Sequence, residues 1–395
     1  MAHRRRRDYA AAAVTAVTAI TIPSIAMASP MSPDIPAEAV VETMEPQAGL
    51  LNTPHPEALE RIPRDHILVV AADGSGNFTT LQAAIDQVPA NSPARWLILV
   101  RPGIYRGTVH IPTSKPNITL AGTTGNPDDV VIVDSHANGL VNPDTGQPYG
   151  TSGSATVTVQ ADGFHAYNIT FQNAFNPAAH PDVKNQQAVA VRTTGDRAIF
   201  VNDRFLGRQD TLYASLPSQE GISRQLYYND YIEGTVDFVF GSATAIFDHC
   251  TLHALDHPGE AVTAASTPRS NPYGFLIVNS RITADPNLPE GSIYLGRPWP
   301  QYRTGSGADL TIDSAAQVTV MHTWITGAVA PQHWLDWSSP YFPWTSARYL
   351  EYLNTGPGAD HALSDVPILT RAEAAQFTIQ QYLGDWNPLS DITGA

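Results

Sequence analysis

Two aspartates occupy matching places in two similar segments of the chain. Asp210 follows Asn202 by eight residues, and Asp237 follows Asn229 by eight residues. If the two segments are neighbouring turns of one repeating fold, their carboxylates stack on adjacent strands whose backbones are about 4.8 Å apart. Two carboxylates this close do not both ionise freely, so one keeps its proton while the other stays anionic. The spacing therefore predicts an acid beside a base or nucleophile.

The alternative for this pair is two ordinary turn aspartates in solvent. The neighbours of Asp237 argue against it, because the segment 235–240 is rich in apolar residues and an unpaired carboxylate there costs free energy. A cation would lower that cost, and Arg297, placed between Gly296 and Pro298, is the best candidate. Its guanidinium can bind a carboxylate through two hydrogen bonds, although an exposed turn arginine is the ordinary alternative.

Two glutamines near the aspartates add hydrogen-bond donors. Gln209 directly precedes Asp210, and Gln187 opens the apolar run 188–191. Side-chain amides can donate to a developing oxyanion, which is the task of a preorganised electrostatic hole. A single glutamine is more often an ordinary polar residue of a strand. These two are candidate oxyanion donors because they lie near the predicted carboxylate pair.

The fold that would align these residues is indicated by a loose internal repeat. In each copy a polar residue, usually Asn, precedes a large apolar residue by three positions; the pairs are Asn117/Leu120, Asn168/Phe171, Asn202/Phe205, Asn229/Ile232, His249/Leu252, Asn279/Ile282 and His322/Ile325. After Asn168 the intervals are 34, 27, 20, 30 and 43 residues. Such irregular intervals are typical of a solenoid whose coils carry loops of different length, as in a parallel β-helix. Chance recurrence and a β-sandwich are the alternatives, but the sequence lacks clear two-residue hairpin turns.

Local patterns agree with an all-β chain that carries short helices near its ends. Runs of apolar and β-branched residues bounded by Gly, Pro or Asn predict strands at Ile67–Val70, Trp96–Val100, Val130–Val133 and Ala155–Val159. The apolar spacing within Thr79–Val88 predicts an amphipathic helix that Pro89 stops. Thr370 and Glu373 match a capping box for a last helix that runs to about Leu383.

Composition limits the classes of function. Of the 395 residues only 15% are charged, and the chain has 32 Pro and 28 Gly, which favours a body rich in strands and loops. The 22 basic and 37 acidic residues leave no bulk positive field for nucleic acid or for an anionic membrane surface. Neither class of partner is therefore expected.

The chain is expected to have three regions. Residues 1–28 read as a signal peptide, with Arg4–Arg7 before an apolar stretch and small residues at 26–28, so we expect secretion. A membrane-spanning helix is the alternative, but the apolar stretch falls short of about 20 residues. Residues 29–65, with seven prolines, read as a leader or linker, and 66–395 as a single catalytic domain.

The densest set of metal-ligand residue types in the chain consists of His249, Cys250, His253, Asp256 and His257. We prefer structural roles for them in the repeat and its loops, with a metal site as the alternative. Cys250 is the single cysteine and cannot form an internal disulfide, so burial is its expected role. The Gly-x-Ser-x-Gly pentapeptide of a serine esterase does not occur in the sequence.

Six motifs in this order carry a resemblance to a known family: Gly74–Phe78, Gly103–Tyr105, Gln187–Ala190, Gly207–Tyr213, Gly234–Gly241 and Leu295–Trp299. On these motifs the chain resembles the pectin methylesterases, which are carbohydrate esterases on a right-handed parallel β-helix. The resemblance extends roughly over residues 66–390. The segment Val262–Thr267, followed by Tyr273–Phe275, is more similar to bacterial members than to plant ones.

The resemblance implies a role for each candidate residue. Asp237 would attack the carbonyl of a galacturonate methyl ester, while Arg297 keeps it anionic and oriented. Gln187 and Gln209 would donate to the tetrahedral oxyanion. Asp210 would give its proton to the departing methanol and later take one from the water that cleaves the acyl-enzyme. The resemblance implies neither a metal nor another cofactor.

The resemblance also implies a groove for methyl-esterified pectin. Tyr213, Val236, Phe240 and Trp299 match positions that line this groove, where aromatic faces pack against sugar rings; core packing is the alternative, chiefly for Phe240. A monomer is the simplest expectation for a β-helix with capped ends.

Three other functions are compatible with such a scaffold. An acyl-CoA-type thioesterase would have a deep apolar groove. A non-enzymatic adhesin or polysaccharide-binding β-helix would have no need of paired carboxylates. A glycosidase or lyase would share the type of fold, since fold alone does not determine chemistry. The intact carboxylate pair, its arginine and the two glutamines favour the esterase.

Overall fold

The computed structural model describes residues 62–218, 220–301, 303–305, 311–338, 341–360, 365 and 367–388. The predicted signal peptide and the leader up to residue 61 lie outside this range. Strands in the described residues form three parallel sheets of ten, eight and seven strands. The chain passes from the first sheet to the second and then to the third before it returns, so that each full coil adds one strand to each sheet. This architecture is the predicted parallel β-helix.

The strands of each sheet have the following bounds. The first sheet contains Ile67–Val70, Trp96–Val100, Ile118–Gly122, His165–Tyr167, Ala198–Val201, Arg224–Tyr228, Thr244–Asp248, Phe275–Val278, Gln317–Met321 and Arg348–Tyr352. The second contains Gly103–Arg106, Val130–Asp134, Thr170–Asn173, Arg204–Leu206, Tyr231–Gly234, Thr251–Ala254, Arg281–Ala284 and Trp324–Ile325. The third contains Val109–Ile111, Val157–Val159, Val191–Thr193, Leu212–Ala214, Val239–Gly241, Ala261–Ala265 and Tyr294–Gly296. Two antiparallel hairpins pair Arg303–Thr304 with Thr311–Ile312 and Trp337–Ser338 with Tyr341–Phe342.

The internal repeat marks one corner of the β-helix. Six of its polar residues lie between a strand of the first sheet and a strand of the second, with φ between 49° and 57°: Asn168, Asn202, Asn229, His249, Asn279 and His322. This left-handed conformation turns the chain sharply, and Asn tolerates it better than most residues. The Asn side chains also bond from coil to coil, since Asn202 Nδ2 donates to Asn168 Oδ1 at 2.7 Å and Asn229 Nδ2 to Asn202 Oδ1 at 3.1 Å.

The remaining pair of the predicted repeat, Asn117/Leu120, does not belong to this corner. Asn117 does have a φ of 59°, but it precedes the strand Ile118–Gly122 of the first sheet. Leu120 accordingly pairs with Ile98 in that sheet and not with a residue of the second. The same three-residue spacing arises at any left-handed corner that enters a strand, so the local pattern does not distinguish the corners.

The interior of the β-helix is a set of stacked columns. The apolar residues of the repeat are fully buried and lie in register through the second sheet, in the order Phe171, Phe205, Ile232, Leu252, Ile282 and Ile325. Beside them Tyr227 stacks between Phe200 and Phe247, with ring centroids 5.0 Å and 4.8 Å apart. Such stacking holds neighbouring coils in one register, which matters because the candidate residues lie on successive coils.

Short helices lie near both ends of the described chain. Leu81–Gln87 forms the predicted N-terminal helix, which begins after Thr80, whose Oγ1 accepts from Ala83 N at 3.3 Å. At the C-terminal end the capping box of Thr370 and Glu373 is present. The structure differs from the single helix predicted there, because Arg371–Ala374 ends within one turn and Thr378 caps a second helix, Ile379–Leu383.

Five further short elements lie in the described part of the chain. A helical turn covers Gly150–Gly153, and 3₁₀ turns cover Arg64–His66, Pro127–Asp129, Pro177–Ala179 and Trp344–Ser346. Across the described ranges, none of the helices has the length and apolar character needed to cross a membrane.

Candidate active site

Asp210 and Asp237 lie at the turn between the second and third sheets, on adjacent coils. The strands that follow them pair in register, with Leu212 opposite Val239, and each aspartate stands two residues before its strand. Asp210 N donates to Val236 O at 3.0 Å, directly beside Asp237 in the chain. The structure thus brings the two aspartates together as their spacing predicts.

The backbone at both aspartates is left-handed, with φ of 67° at Asp210 and 48° at Asp237. A left-handed residue costs roughly 1–2 kcal/mol unless it is Gly, and Asp is among the residues that tolerate it. Close packing supports the turns, because a Cβ added at Gly234 would lie 2.2 Å from Phe238 Cβ and 2.7 Å from Thr211 Oγ1. Both carboxylates are therefore presented by a tightly packed backbone.

Arg297 binds Asp237 through two parallel hydrogen bonds. Its Nε donates to Oδ1 and its Nη2 to Oδ2, both at 2.8 Å. Arg297 directly follows the strand Tyr294–Gly296, two strands away in the third sheet, so its long side chain reaches back across the intervening coil. Gly296 is needed there, because a Cβ would lie 2.2 Å from Thr263 Oγ1. The pairing fixes the orientation of the carboxylate as well as its charge.

The two buried carboxylates have different proton affinities because Arg297 binds only Asp237. Asp210 and Asp237 are 8% and 5% exposed. Burial raises the pKa of Asp210 well above its usual value, and the charge of Asp237 raises it further. Burial also raises the pKa of Asp237, but the charge and hydrogen bonds of Arg297 oppose this and limit the pKa to about 6. Asp237 therefore ionises first, and Asp210 is the member of the pair that holds its proton more tightly.

The two glutamines lie on the same side of the coil stack as the aspartates. Gln187 precedes the strand Val191–Thr193, and the backbone carbonyl of Gln209 accepts from Ala188 N at 3.0 Å, so the two are on adjacent coils. Gln187 Oε1 accepts from Asn138 Nδ2 at 3.2 Å. This bond occupies the amide oxygen and leaves the amide NH₂ group to donate elsewhere. Asn138 comes from the long connection before residue 150, where no local signal announced it.

An aromatic cluster borders the carboxylates. Tyr213 stacks on Phe240 with ring centroids 4.2 Å apart, and Trp299 lies 5.5 Å from Phe240. Tyr213 and Trp299 are partly exposed, whereas Phe240 is only 2% exposed and presents no free face. Phe240 therefore supports the other two rings from below. This is the core-packing alternative considered for it.

A cavity of about 200 Å³ opens beside the carboxylates. Gln209 and Val236, the direct neighbours of Asp210 and Asp237, both line it. Its other walls carry the polar side chains of Gln186, Arg208, Thr235, Asp256 and His257. The cavity wall therefore combines these polar side chains with the apolar Pro177, Ala178 and Val236. Its place next to Asp210 and Asp237 in the chain makes it a candidate binding pocket.

Two residues near Arg297 were missed in the sequence. Glu260 Oε2 lies 3.0 Å from Arg297 Nη2, and the guanidinium lies 5.0 Å from the centre of the Trp337 ring. Glu260 precedes the strand Ala261–Ala265 on the coil after Asp237, so continuing the coil register could have located it. Trp337 comes from a hairpin outside the repeat, and no pattern in the sequence signals it.

The residues of the densest metal-ligand set have separate partners. His249 Nδ1 lies 2.8 Å from Asp248 Oδ1, whereas His253 Nδ1 lies 2.8 Å from Thr283 Oγ1. Cys250 is buried as expected for a single cysteine. In the part of the chain that the structure describes, no three His, Cys, Asp or Glu side chains come together as a metal site.

The chain matches known proteins over most of its length. The family model described as Pectinesterase matches residues 67–386. A pectinesterase of Ralstonia nicotianae is 36% identical over 321 residues, covering 73% of this chain and 79% of that protein. Pectinesterase 5 of Arabidopsis thaliana is 35% identical and covers 81% of this chain, but the chain spans only 50% of that protein.

Solved structures agree with these sequence matches. Pectin methylesterase PemA from Erwinia chrysanthemi has a TM-score of 0.72 at 31% identity, covering 81% of this chain and 98% of that one. The carrot pectin methylesterase has a TM-score of 0.68 at 31% identity, covering 82% of this chain and 95% of that one. With the family match over 67–386, these similarities lead to one conclusion: the chain belongs to the pectinesterase family.

Proposed function

We propose that this protein is a pectin methylesterase, which hydrolyses methyl esters of polygalacturonate and releases methanol. The observation that carries the proposal is the pair of buried carboxylates, of which Asp237 is bound at both oxygens by Arg297 while Asp210 keeps its proton. The family relationship supports the same chemistry, and one similar pectin methylesterase was solved in complex with a hexasaccharide.

The first half of the reaction forms an acyl-enzyme. An oxygen of Asp237 attacks the ester carbonyl carbon, and the carbonyl oxygen becomes an anion that the amides of Gln187 and Gln209 stabilise. The tetrahedral intermediate then collapses and the bond to the methoxy group breaks. Asp210 donates its proton to the departing oxygen, so methanol leaves neutral. The products of this half are an anhydride between Asp237 and the substrate and an anionic Asp210.

The second half restores the enzyme. Asp210, now anionic, takes a proton from a water molecule as that water attacks the substrate carbonyl of the anhydride. The bond to Asp237 breaks and Asp237 returns as a carboxylate beside Arg297. Galacturonate leaves as a carboxylate once the new acid group loses its proton. Apart from this water, every group used in the scheme belongs to the chain or to its ester substrate.

Sugar binding is assigned to the aromatic cluster and the adjacent cavity. Tyr213 and Trp299 are partly exposed rings beside the carboxylates, suited to packing against pyranose rings. Phe240 holds the Tyr213 ring in place, and Val236 lines the neighbouring cavity. We infer that a sugar bound to these groups holds its methyl ester near Asp237.

We also infer a secreted monomer. The export pattern of residues 1–28 supports secretion. Both edge strands of the first sheet already have a partner segment, with Val70 bridged to Phe78 at one edge and Glu351 to Ile368 at the other. Covered edges leave little open backbone for pairing with a second copy.

The reaction itself is tested with methylated pectin and an acyl thioester. We expect the wild-type protein to release methanol from the pectin and to leave the thioester intact. Methanol is measured by a coupled oxidase assay, and thiol release by a colour reagent. Thioester turnover without methanol release would favour the thioesterase, and binding of pectin without either reaction would favour the binding module.

We expect methanol release to follow a bell-shaped pH profile. Below about pH 6 the rate falls, because Asp237, whose pKa burial raises to about 6, gains a proton and stops being a nucleophile. At high pH the rate falls once the pH exceeds the raised pKa of Asp210, because the general acid is then ionised. Values of kcat/KM, obtained from initial rates of methanol release between about pH 4 and pH 10, test this profile. A rate that still increases on acidification below about pH 5 would contradict the assignment of Asp237.

A further inference from the structure

Glu260 places a second carboxylate on the arginine that holds the nucleophile. Its Oε2 lies 3.0 Å from Arg297 Nη2, the same nitrogen that donates to Asp237 Oδ2 at 2.8 Å. Oε2 is buried and its contact with Nη2 is an ion pair without hydrogen-bond geometry, while the Glu260 side chain as a whole is 26% exposed. One guanidinium nitrogen therefore lies between two carboxylates at the edge of the site.

Glu260 is not needed to keep Asp237 bound or Arg297 charged. Asp237 already has both oxygens on the guanidinium, and this bidentate geometry is the strong form of the pairing. An arginine is protonated at any pH where the enzyme would work. Two carboxylates and one guanidinium give this part of the site one net negative charge, with Asp210 neutral. Besides helping to raise the pKa of Asp237, the second carboxylate thus adds negative charge where a ligand would bind beside Arg297.

The proposed reaction converts a neutral ester into an anion at this place. A guanidinium with free N–H groups is a good carboxylate binder, so Arg297 with a single partner could also hold the product. We propose that Glu260 is a positioning and specificity residue, which shares Arg297 with Asp237 and so prevents the guanidinium from capturing a galacturonate carboxylate. The inference rests on the proposed esterase function, which makes that carboxylate the product.

The variant Glu260→Gln tests this, since it removes the charge but keeps the size of the side chain. The probes are a demethylated and a fully methylated oligogalacturonate of equal length, titrated by calorimetry at low ionic strength. We expect the demethylated oligomer to bind the variant roughly five- to tenfold more tightly than the wild type, with the methylated oligomer unchanged. High salt should reduce the gain. The kinetic counterpart is stronger product inhibition with little change in KM.

Glu290→Gln is the matched control, because Glu290 is exposed and the charge change is the same. Equal binding of the demethylated oligomer to wild type and Glu260→Gln would overturn the inference, as would equal tightening in the control. Loss of affinity for both oligomers would assign Glu260 a merely structural role and would also overturn it. A wild type that releases no methanol would instead count against the proposed function, and calorimetry reports on Glu260 separately.

Discussion

Asp237→Asn is expected to lower kcat for methanol release by about 10⁴-fold or more. The amide cannot attack the ester carbonyl as a carboxylate does, and no other described carboxylate is bound at both oxygens by Arg297. The acyl-enzyme therefore cannot form. Release of methanol from methylated pectin at about pH 7 measures the effect, and mass spectrometry of the quenched reaction tests for the covalent intermediate in wild type.

The same variant should remain folded and should still bind substrate. Glu260 keeps an ion pair with Arg297 when Asp237 loses its charge, so the guanidinium is not left alone in the site. An unchanged melting curve and unchanged affinity for a methylated oligogalacturonate separate lost chemistry from lost structure. Activity within tenfold of the wild type would show that Asp237 is not the nucleophile.

Asp210→Asn is expected to lower kcat by about 10²–10⁴-fold, the usual contribution of a general acid and base. The amide cannot protonate the methoxy oxygen or activate water. Because Asp210 is buried and protonated near neutral pH, an amide of the same shape should leave stability unchanged or slightly higher. The remaining activity should lose the fall at high pH, since an amide has no proton to give up. Steady-state rates across the pH range test both expectations.

Asp203→Asn is the matched control for this change. Asp203 is also buried, and burial likewise raises its pKa well above the usual value. Its Oδ1 accepts from Ile169 N at 2.7 Å, which the amide oxygen of Asn can also do. It should therefore keep full activity. A loss in Asp203→Asn as large as that in Asp210→Asn would mean that any carboxylate lost from the coils damages the enzyme.

Residues within one coil determined much of this fold. Asn or His at a left-handed corner, followed three residues later by an apolar residue, predicts the β-helix because the pattern recurs in six successive coils. Parallel pairing then places equivalent residues side by side, so Asp210 and Asp237 could be matched by counting from their asparagines. The limit of this reasoning is seen at Asn117, whose corner has the same local conformation but a different place in the coil.

Arg297 shows where sequence and tertiary structure divide. The charge of Arg297 and its position between Gly296 and Pro298 predicted it as a partner for Asp237. The two hydrogen bonds form only because its side chain extends back to a coil two strands away in the third sheet. Two further residues contact the same guanidinium. Glu260 lies directly before a strand of the third sheet, and Trp337 lies in a hairpin outside the repeat.

The coil pattern, the carboxylate pair and the type of cation beside it could all be predicted from the sequence, because they follow from local spacing and from charge. Three contacts became visible only in the folded chain: the burial of Phe240 beneath Tyr213, the hydrogen bond from Asn138 to Gln187 and the ion pair of Glu260 with Arg297. The physical reason is that register relates equivalent positions of adjacent coils, whereas contacts made by loops and by long side chains across several coils have no periodicity to reveal them.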